Sequence, residues 1–183
     1  MRAGDEAAFA ELYGRWQGPL YRYALRMSGE PALAEDVVHE VFMALIRQTQ
    51  GYDPERGPLG AYLYGVARRI VLRRLEHERP YVALADEDGG ADEPVAPGPD
   101  ALAELTRSER VARVRSAVLS LPPVYREAVV LCDLQALSYD DAASILGCSL
   151  GTVRSRLHRA RRLLVSKLEA ERVLPARAAG GRR

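Results

Sequence analysis

The sequence is poor in cysteine and has no long hydrophobic run. Its 183 residues include two cysteines, Cys132 and Cys148, which are too few for a disulfide scaffold and lack the spacing of zinc ligands. The longest stretch free of Asp, Glu, Lys and Arg is the twelve residues from Ala142 to Val153, whereas a membrane helix needs about 20 apolar residues. No apolar segment near the N-terminus resembles a signal peptide. These absences predict a cytoplasmic protein without membrane insertion.

Groups that carry out catalysis are also scarce. The three histidines, His39, His77 and His158, are far apart and fall on separate predicted helices. Asp140 and Asp141 are adjacent carboxylates, but a helix-capping role explains them better than acid–base chemistry. The chain has no glycine-rich phosphate loop. We therefore predict a protein that is not an enzyme and that uses no cofactor and no metal.

Charges of opposite sign are segregated along the chain. Residues 1–79 carry 11 basic and 11 acidic side chains, residues 80–106 carry seven acidic and no basic ones, and residues 107–183 carry 15 basic and seven acidic ones. The formal net charge of +1 therefore hides a strongly basic C-terminal part. Such segregation indicates a polyanionic partner for that part of the chain.

Composition divides the chain into two helical parts. Residues 80–106 are rich in proline, glycine and acidic groups, which is typical of a linker. Elsewhere the apolar residues recur at helical spacing, and no sustained apolar–polar alternation indicates a sheet. We predict an all-α fold with two small helical domains, over residues 1–79 and 107–172, joined by a flexible acidic linker over 80–106. The arginine-rich tail over 173–183 is predicted to be disordered.

Capping residues and apolar spacing set the predicted helix boundaries. In chain order, the predicted helices are one capped by Asp5, one that begins at Pro19, and those over Pro31–Gln48, Leu59–Glu78, Ala101–Leu119, Pro123–Leu134, Tyr139–Leu146 and Leu150–Glu171.

The sharpest pattern lies in the last two of these helices. Ser138-Tyr-Asp-Asp141 forms a capping box with Asp in place of Glu, and it starts a short helix. Gly147 ends that helix, because a left-handed residue after a helix costs little only for glycine. Ser149 then caps a long basic helix. A short helix, a three-residue turn with glycine and a long basic helix together indicate a helix-turn-helix.

The long helix has an apolar stripe from Leu150 to Leu164 and a basic face. Arginines near its start can reach guanine edges in the major groove, and those further along can hold phosphates. The polar positions that we assign to DNA are Thr152, Arg154, Ser155, Arg156, His158 and Arg159. An ordinary amphipathic helix pair with a solvated basic face is the alternative, but the agreement of turn, caps and basic face favours DNA binding.

A polar face also occurs on the helix that follows Pro31. Asp36, His39 and Glu40 share one side of it, opposite the apolar positions. Periodicity alone favours a solvated face, and a docking face for a basic partner helix is the other interpretation.

The helix after Leu59 mixes aromatic and basic residues. Tyr62, Arg69 and Arg73 share its outer face, with Arg68 beside them. Such a face can stack unpaired bases while it holds their backbone. Half-buried tyrosines next to solvated arginines explain the pattern equally well.

Seven motifs together resemble the extracytoplasmic-function (ECF) sigma factors, the minimal two-domain class of the bacterial sigma-70 family. The motifs are Asp5-Glu-Ala-Ala-Phe9, Leu20-Tyr-Arg-Tyr-Ala-Leu25, Ala34-Glu-Asp-Val-Val-His-Glu-Val-Phe42, Tyr62-Leu-Tyr-Gly-Val-Ala67, Leu121-Pro-Pro-Val-Tyr-Arg-Glu-Ala-Val-Val-Leu131, Ser138-Tyr-Asp-Asp-Ala-Ala143 and Gly151-Thr-Val-Arg-Ser-Arg-Leu-His-Arg-Ala-Arg161. The resemblance implies an alternative sigma factor that binds core RNA polymerase and promoter DNA, recognises the −35 and −10 elements and promotes transcription initiation. It also implies an anti-sigma partner.

The resemblance assigns roles to particular residues. It implies that Asp36, His39 and Glu40 dock on the clamp of core RNA polymerase. A second set, which the resemblance assigns to the melted −10 strand, consists of Arg56, Tyr62, Arg68, Arg69 and Arg73. The long basic helix matches the reader of the −35 element. This sequence departs from the family pattern at His39, Tyr62 and Arg69, where Gln, Trp and Asn are usual.

Two other interpretations remain. One is a stand-alone helix-turn-helix regulator with an N-terminal sensor domain, and the motifs of the first domain argue against it. The other is a sigma mimic that titrates a regulator without touching DNA, and the basic face of the last helix argues against that.

Overall fold

The computed structural model describes residues 6–47, 52–82 and 99–173 of the chain. In these ranges it contains seven α-helices: α1 (Glu6–Ser28), α2 (Pro31–Arg47), α3 (Leu59–Val82), α4 (Pro99–Leu119), α5 (Pro123–Val129), α6 (Tyr139–Leu146) and α7 (Leu150–Val173). A 3-10 turn over Pro54–Arg56 precedes α3, and a π-helical turn over Val130–Leu134 follows α5. The described ranges contain no strand, so the predicted all-α fold is confirmed.

Three predicted features lie wholly or partly outside the described residues. They are the Asp5 cap, the tail from residue 174 onward and the middle of the predicted linker, residues 83–98. Helix α3 runs to Val82 and α4 begins at Pro99, so helical backbone enters the 80–106 segment from both ends. The division of the chain at this segment stays a prediction.

Helices α1, α2 and α3 pack into what we call the first unit. At its centre Leu20, Tyr23, Val37, Val41 and Leu63 are each at most 1% exposed. Burying an apolar side chain of this size stabilises the fold by about 1.5–3 kcal/mol. The apolar residues that recur at helical spacing on α2 and α3 face the core, because all of them are buried: Val37, Val38, Val41, Leu45, Leu63, Val66, Ala67 and Ile70.

The prediction that Pro19 begins a second helix is wrong. Helix α1 continues through Pro19 without a break from Glu6 to Ser28. A proline inside a helix removes one hydrogen bond and costs about 3 kcal/mol. The apolar stripe beyond it, with Leu20, Tyr23 and Met27 each 0% exposed, offsets that cost only if the helix stays continuous.

The second unit consists of the end of α4, α5, the π-helical turn, α6 and α7. Leu121, Leu131 and Leu157 are its most deeply buried large apolar side chains. Helix α7 buries Val153, Leu157 and Ala160, which confirms its apolar stripe. Because this stripe packs inward, the opposite side of α7 is left at the surface.

The helix predicted over Pro123–Leu134 is α-helical only as far as Val129. In the π-helical turn that follows, the Gln135 N–H donates to the Val130 carbonyl at 2.9 Å, five residues back. The wider turn leaves Val130 and Leu131 both 0% exposed. Packing of these side chains, which no local sequence signal indicates, explains the change of helix type.

The two units share one hydrophobic core. Helix α1 packs against α4, α5 and the π-helical turn, and α3 packs against α6. Gly29, which follows α1 with a φ of +86°, lies against the Leu119 side chain of α4. The units therefore meet over specific side chains instead of lying apart on a tether.

Two glycines of α3 provide a matched test of the packing between α1 and α3. A Cβ at Gly60 would overlap the indole ring of Trp16, whereas a Cβ at Gly65 meets no atom within 4 Å. We expect Gly60→Ala to lower the free energy of unfolding by about 1–3 kcal/mol, because Trp16 must move in a packed site. Gly65→Ala should raise it by about 0.5–1 kcal/mol, because alanine favours the helix. Denaturant titration measures both, and equal losses would contradict the close approach at Gly60.

Candidate nucleic-acid and polymerase interface

The helix-turn-helix has the local geometry that the sequence predicts. The Ser138 hydroxyl accepts from the Asp141 N–H at 3.0 Å, and the Ser149 hydroxyl accepts from the Thr152 N–H at 3.2 Å. Gly147 adopts the left-handed conformation, with φ 62° and ψ 40°. The Asp141 carboxylate accepts from the Ser138 hydroxyl at 2.7 Å. These contacts hold the start of α7 in a defined position relative to α6.

The predicted −35 residues divide into two groups by exposure. Arg154, Ser155, His158 and Arg159 are exposed on α7. Thr152 and Arg156 are half-buried, and the Thr152 hydroxyl lies 2.9 Å from the Ser149 hydroxyl. Thr152 therefore helps to hold the start of α7, and the four exposed side chains form the surface that a DNA groove can reach.

One arginine of α7 has a structural role that was not predicted from the sequence. Arg161 donates to both carboxylate oxygens of Asp133, at 2.6 and 3.0 Å. The hydrogen bonds to Asp133, followed by one to Tyr139, raise the pKa of Arg161. Both partners of this ion pair are solvent-accessible, so its contribution to stability is at most about 1 kcal/mol. It joins α7 to the π-helical turn within the second unit.

A groove between α2 and α3 brings two predicted sites together. Its volume is about 520 Å³, and its walls include His39 of α2 together with Arg69 and Arg73 of α3. Glu40 lies in the same groove and accepts from Arg73 at 3.1 Å and from Arg74 at 2.5 Å. Two of the three predicted polymerase-docking residues, His39 and Glu40, and part of the predicted −10 set are therefore neighbours.

Tyr62 lies at the edge of the loop that precedes α3. Its half-buried ring is 5.6 Å from the ring of Tyr52, centroid to centroid. The Tyr52 hydroxyl donates to the Gly57 carbonyl at 3.2 Å, and the Asp53 carboxylate accepts from the Glu55 N–H at 3.0 Å. The loop is thus held against Tyr62. The backbone of Arg56 lies in the 3-10 turn, and its side chain is outside the described part of the structure.

Arg68 lies apart from the other members of the predicted −10 set. It points at the second unit, where its Nε and one Nη donate to the two carboxylate oxygens of Glu127 at 2.6 and 3.2 Å. Glu127 is only 2% exposed. No role for Glu127 was predicted from the sequence, although its position next to Ala128 and four residues before Leu131, both buried, was a signal for a buried partner.

The described ranges contain neither a membrane-spanning helix nor a cluster of metal ligands. No helix there is long and apolar enough to cross a membrane. Within the same residues, no group of three or more His, Cys, Asp or Glu side chains is placed to hold a metal ion.

The fold and the exposed faces define a helix-turn-helix protein with a second helical unit, and comparison with known families agrees. The Sigma-70 region 2 model matches residues 12–80, and the Sigma-70 region 4 model matches residues 111–164. The first match falls on the first unit and the second on the helix-turn-helix unit.

Curated relatives align over most of the chain. The ECF RNA polymerase sigma factor SigE of Mycolicibacterium smegmatis is 36% identical over 165 residues, which cover 88% of this chain and 63% of that protein. The ECF RNA polymerase sigma factor SigL of Mycobacterium tuberculosis is 31% identical over 175 residues, or 93% of this chain and 96% of that protein. The RNA polymerase sigma factor CarQ of Myxococcus xanthus is 30% identical, with 93% and 97% covered.

Solved structures show the same fold. The sigma factor RpoE of Bartonella quintana, in complex with the anti-sigma factor NepR, has a TM-score of 0.69 and 24% identity over 90% of this chain and 98% of that one. CnrH, in complex with the cytosolic domain of CnrY, has a TM-score of 0.67 and 25% identity over 92% of each chain. This chain belongs to the ECF RNA polymerase sigma factors of the sigma-70 family. The predicted class, a promoter-recognising transcription initiation factor, is therefore confirmed.

Proposed function

We propose that this chain directs core RNA polymerase to promoters through three surfaces. The exposed face of α2 contacts the polymerase, the loop before α3 and the outer face of α3 take the −10 strand, and α7 reads the −35 element. The exposed polar face of α7 behind a fully capped turn is the observation that carries the proposal. The protein acts in the cytoplasm, with no catalysis and no cofactor of its own.

The face of α2 suits a basic partner helix. Asp36 and His39 are exposed, and Glu40 is 31% exposed. Complementary charge steers association and sets the register of two surfaces. Because the Glu40 carboxylate already lies between Arg73 and Arg74, it mainly holds α3 against α2. Asp36 and His39 are then the residues that contact the polymerase directly.

The outer face of α3 suits a single strand. Tyr62, Arg69 and Arg73 follow one another at seven and four residues, so they lie on one side of the helix over about 16 Å. The Tyr52–Tyr62 pair provides an aromatic surface, and stacking of one base on such a ring contributes about 1–3 kcal/mol. Arg69 and Arg73 add positive charge for the backbone phosphates.

The exposed residues of α7 suit the major groove. Arg154, Ser155, His158 and Arg159 lie in the second and third turns of α7, within the N-terminal half of the helix, and the N-terminal part of this helix enters the groove in helix-turn-helix proteins. Arginine reads guanine through two parallel hydrogen bonds, and a hydroxyl reads either edge. We infer that these four residues recognise the −35 element.

An anti-sigma partner is part of the proposal. Among its structural neighbours, RpoE was solved with the anti-sigma factor NepR and CnrH with the cytosolic domain of CnrY. We propose that this chain is likewise held inactive by an anti-sigma factor and released when that partner is removed.

Run-off transcription tests the proposed function. Core RNA polymerase that lacks any sigma factor should start at defined promoters when this protein is added, and sequencing the RNA 5′ ends should reveal two shared upstream boxes. Core alone and core with the Arg154→Glu, Arg159→Glu double variant are the controls, and neither should initiate specifically. If the protein instead bound promoter DNA by itself and blocked a different sigma factor, it would be a regulator and the proposal would be wrong.

A further inference from the structure

The contact between the units contains a buried ion pair. The Arg68 side chain on α3 is 25% exposed and the Glu127 side chain on α5 is 2% exposed, and two parallel hydrogen bonds join them. A buried carboxylate needs a partner, because its unpaired charge is strongly disfavoured away from water. The pair therefore ties α3 to α5 for as long as Glu127 stays buried.

Three further hydrogen bonds cross the same boundary. The Arg126 guanidinium of the second unit donates to the Met27 carbonyl at the end of α1 at 2.5 Å. The Arg26 guanidinium of the first unit donates to the Leu134 carbonyl at 2.6 Å, and the Gln135 amide donates to the Pro19 carbonyl at 3.2 Å. Each bond links a side chain of one unit to a backbone carbonyl of the other, so the bonds fix one relative orientation of the two units.

The same boundary leaves polar groups unsatisfied. Among the described residues, the Tyr23 hydroxyl and the Arg126 Nε are buried without a hydrogen-bond partner. Burial, and then the charge of Glu127, raise the pKa of Tyr23. Buried polar atoms without partners oppose the arrangement in which the two units touch. The contact is therefore specific, and these unsatisfied atoms lower the free energy needed to open it.

While the two units touch, the closed arrangement, the DNA-binding surfaces of α3 and α7 are too close together to reach two promoter boxes at once. Boxes one and a half helical turns apart are separated by roughly 50 Å. Here Arg68 of α3 touches α5, and α7 packs directly on α5. The axes of two packed helices lie only about 8–10 Å apart, so α3 and α7 are close together. The α3 and α7 surfaces cannot reach both boxes unless the units separate. Residues 83–98, which join the two parts, permit this because a chain of that length spans at most about 55–60 Å.

We propose that the Arg68–Glu127 pair is an intramolecular latch that keeps the sigma factor closed and withholds Arg68 from DNA until the polymerase separates the two units. The inference rests on the proposed function. A carboxylate and a phosphate present the same two-oxygen edge to a guanidinium. Glu127 therefore occupies the fork of Arg68 that a phosphate of the −10 strand takes after opening.

The first test measures the closed state without polymerase. A compact chain of this length has a radius of gyration of about 16 Å. In small-angle scattering of the free full chain, Glu127→Gln should increase that radius by roughly 4 Å or more, because a neutral amide cannot hold Arg68 as firmly. Asp133→Asn is the matched control: it removes the ion pair with Arg161 inside the second unit and should leave the radius unchanged. Arg68→Gln removes the more exposed partner of the same ion pair and should increase the radius in the same way. It replaces Glu127→Gln in the test if far-UV circular dichroism shows that Glu127→Gln is unfolded.

The second test measures the effect on the polymerase. If only the open fraction binds core, the apparent Kd for core of Glu127→Gln should fall by roughly five- to tenfold. If the wild-type protein does not support initiation, the proposed function is wrong. The scattering measurement then still tests whether the Arg68–Glu127 pair holds the two units together. Wild-type protein that initiates, with neither Glu127→Gln nor Arg68→Gln larger in radius than Asp133→Asn, would overturn the latch alone.

Discussion

Asp36→Arg is expected to weaken the binding of this sigma factor to core RNA polymerase by at least 100-fold and to abolish run-off transcription. Asp36 is exposed on α2, so the substitution removes a negative charge from the proposed docking face and adds a positive one. Placing like charges across an interface costs several kcal/mol, roughly the size of this loss. The thermal midpoint should change little, because exposed substitutions usually alter stability by less than about 0.5 kcal/mol.

Glu35→Arg is the control for that prediction. Glu35 is the exposed neighbour of Asp36, carries the same charge and lies on the side of α2 that faces α1, beside Tyr13 and Tyr21. We expect it to retain core binding within a few fold. Equal losses in both variants would indicate a general effect of net charge, and normal binding by Asp36→Arg would refute the docking assignment. Fluorescence anisotropy with labelled protein and purified core measures both.

Arg159→Ala is expected to reduce discrimination at one position of the −35 element by about 1–3 kcal/mol, or roughly 5- to 150-fold. Arg159 is exposed near the middle of α7, on the face opposite the buried Val153 and Leu157. A guanidinium in that position can form two hydrogen bonds with a guanine, and a mismatched base cannot accept both. The measurement compares the affinity of the holoenzyme for promoters that differ by single −35 substitutions.

Arg162→Ala provides the contrast on the same helix. Arg162 is also exposed but lies one turn further along, where the helix leaves the groove. Its loss should weaken binding by a small, equal factor for every promoter and should lower the salt dependence of binding. If Arg159→Ala showed that uniform pattern instead, it would contact a phosphate, and its assignment as a base reader would be wrong.

The sequence predicted features whose causes lie within a few residues. Gly147 ends α6 because of its own conformational freedom, and Ser138 and Ser149 start helices by accepting from N–H groups three residues ahead. The inward faces of α2, α3 and α7 follow from helical spacing. The candidate surfaces on α2 and α7 were predicted for the same reason, because a helix that buries one stripe must expose the other.

Predictions failed or said nothing where a distant contact decides the structure. The continuity of α1 through Pro19 depends on the core into which Leu20 and Tyr23 pack. The π-helical turn depends on the burial of Val130 and Leu131. Helical spacing placed Arg68 beside Tyr62 and Arg69, but its side chain turns to Glu127, 59 residues away.

The sequence by itself determined the helical class, the helix-turn-helix and the family of this protein, because local capping, helical periodicity and short motifs carry that information. Only the tertiary structure decided that the two units share a core and that a buried ion pair joins them. Contacts between residues far apart depend on how whole helices pack, and no pattern within one helix reports which partner a charged side chain meets.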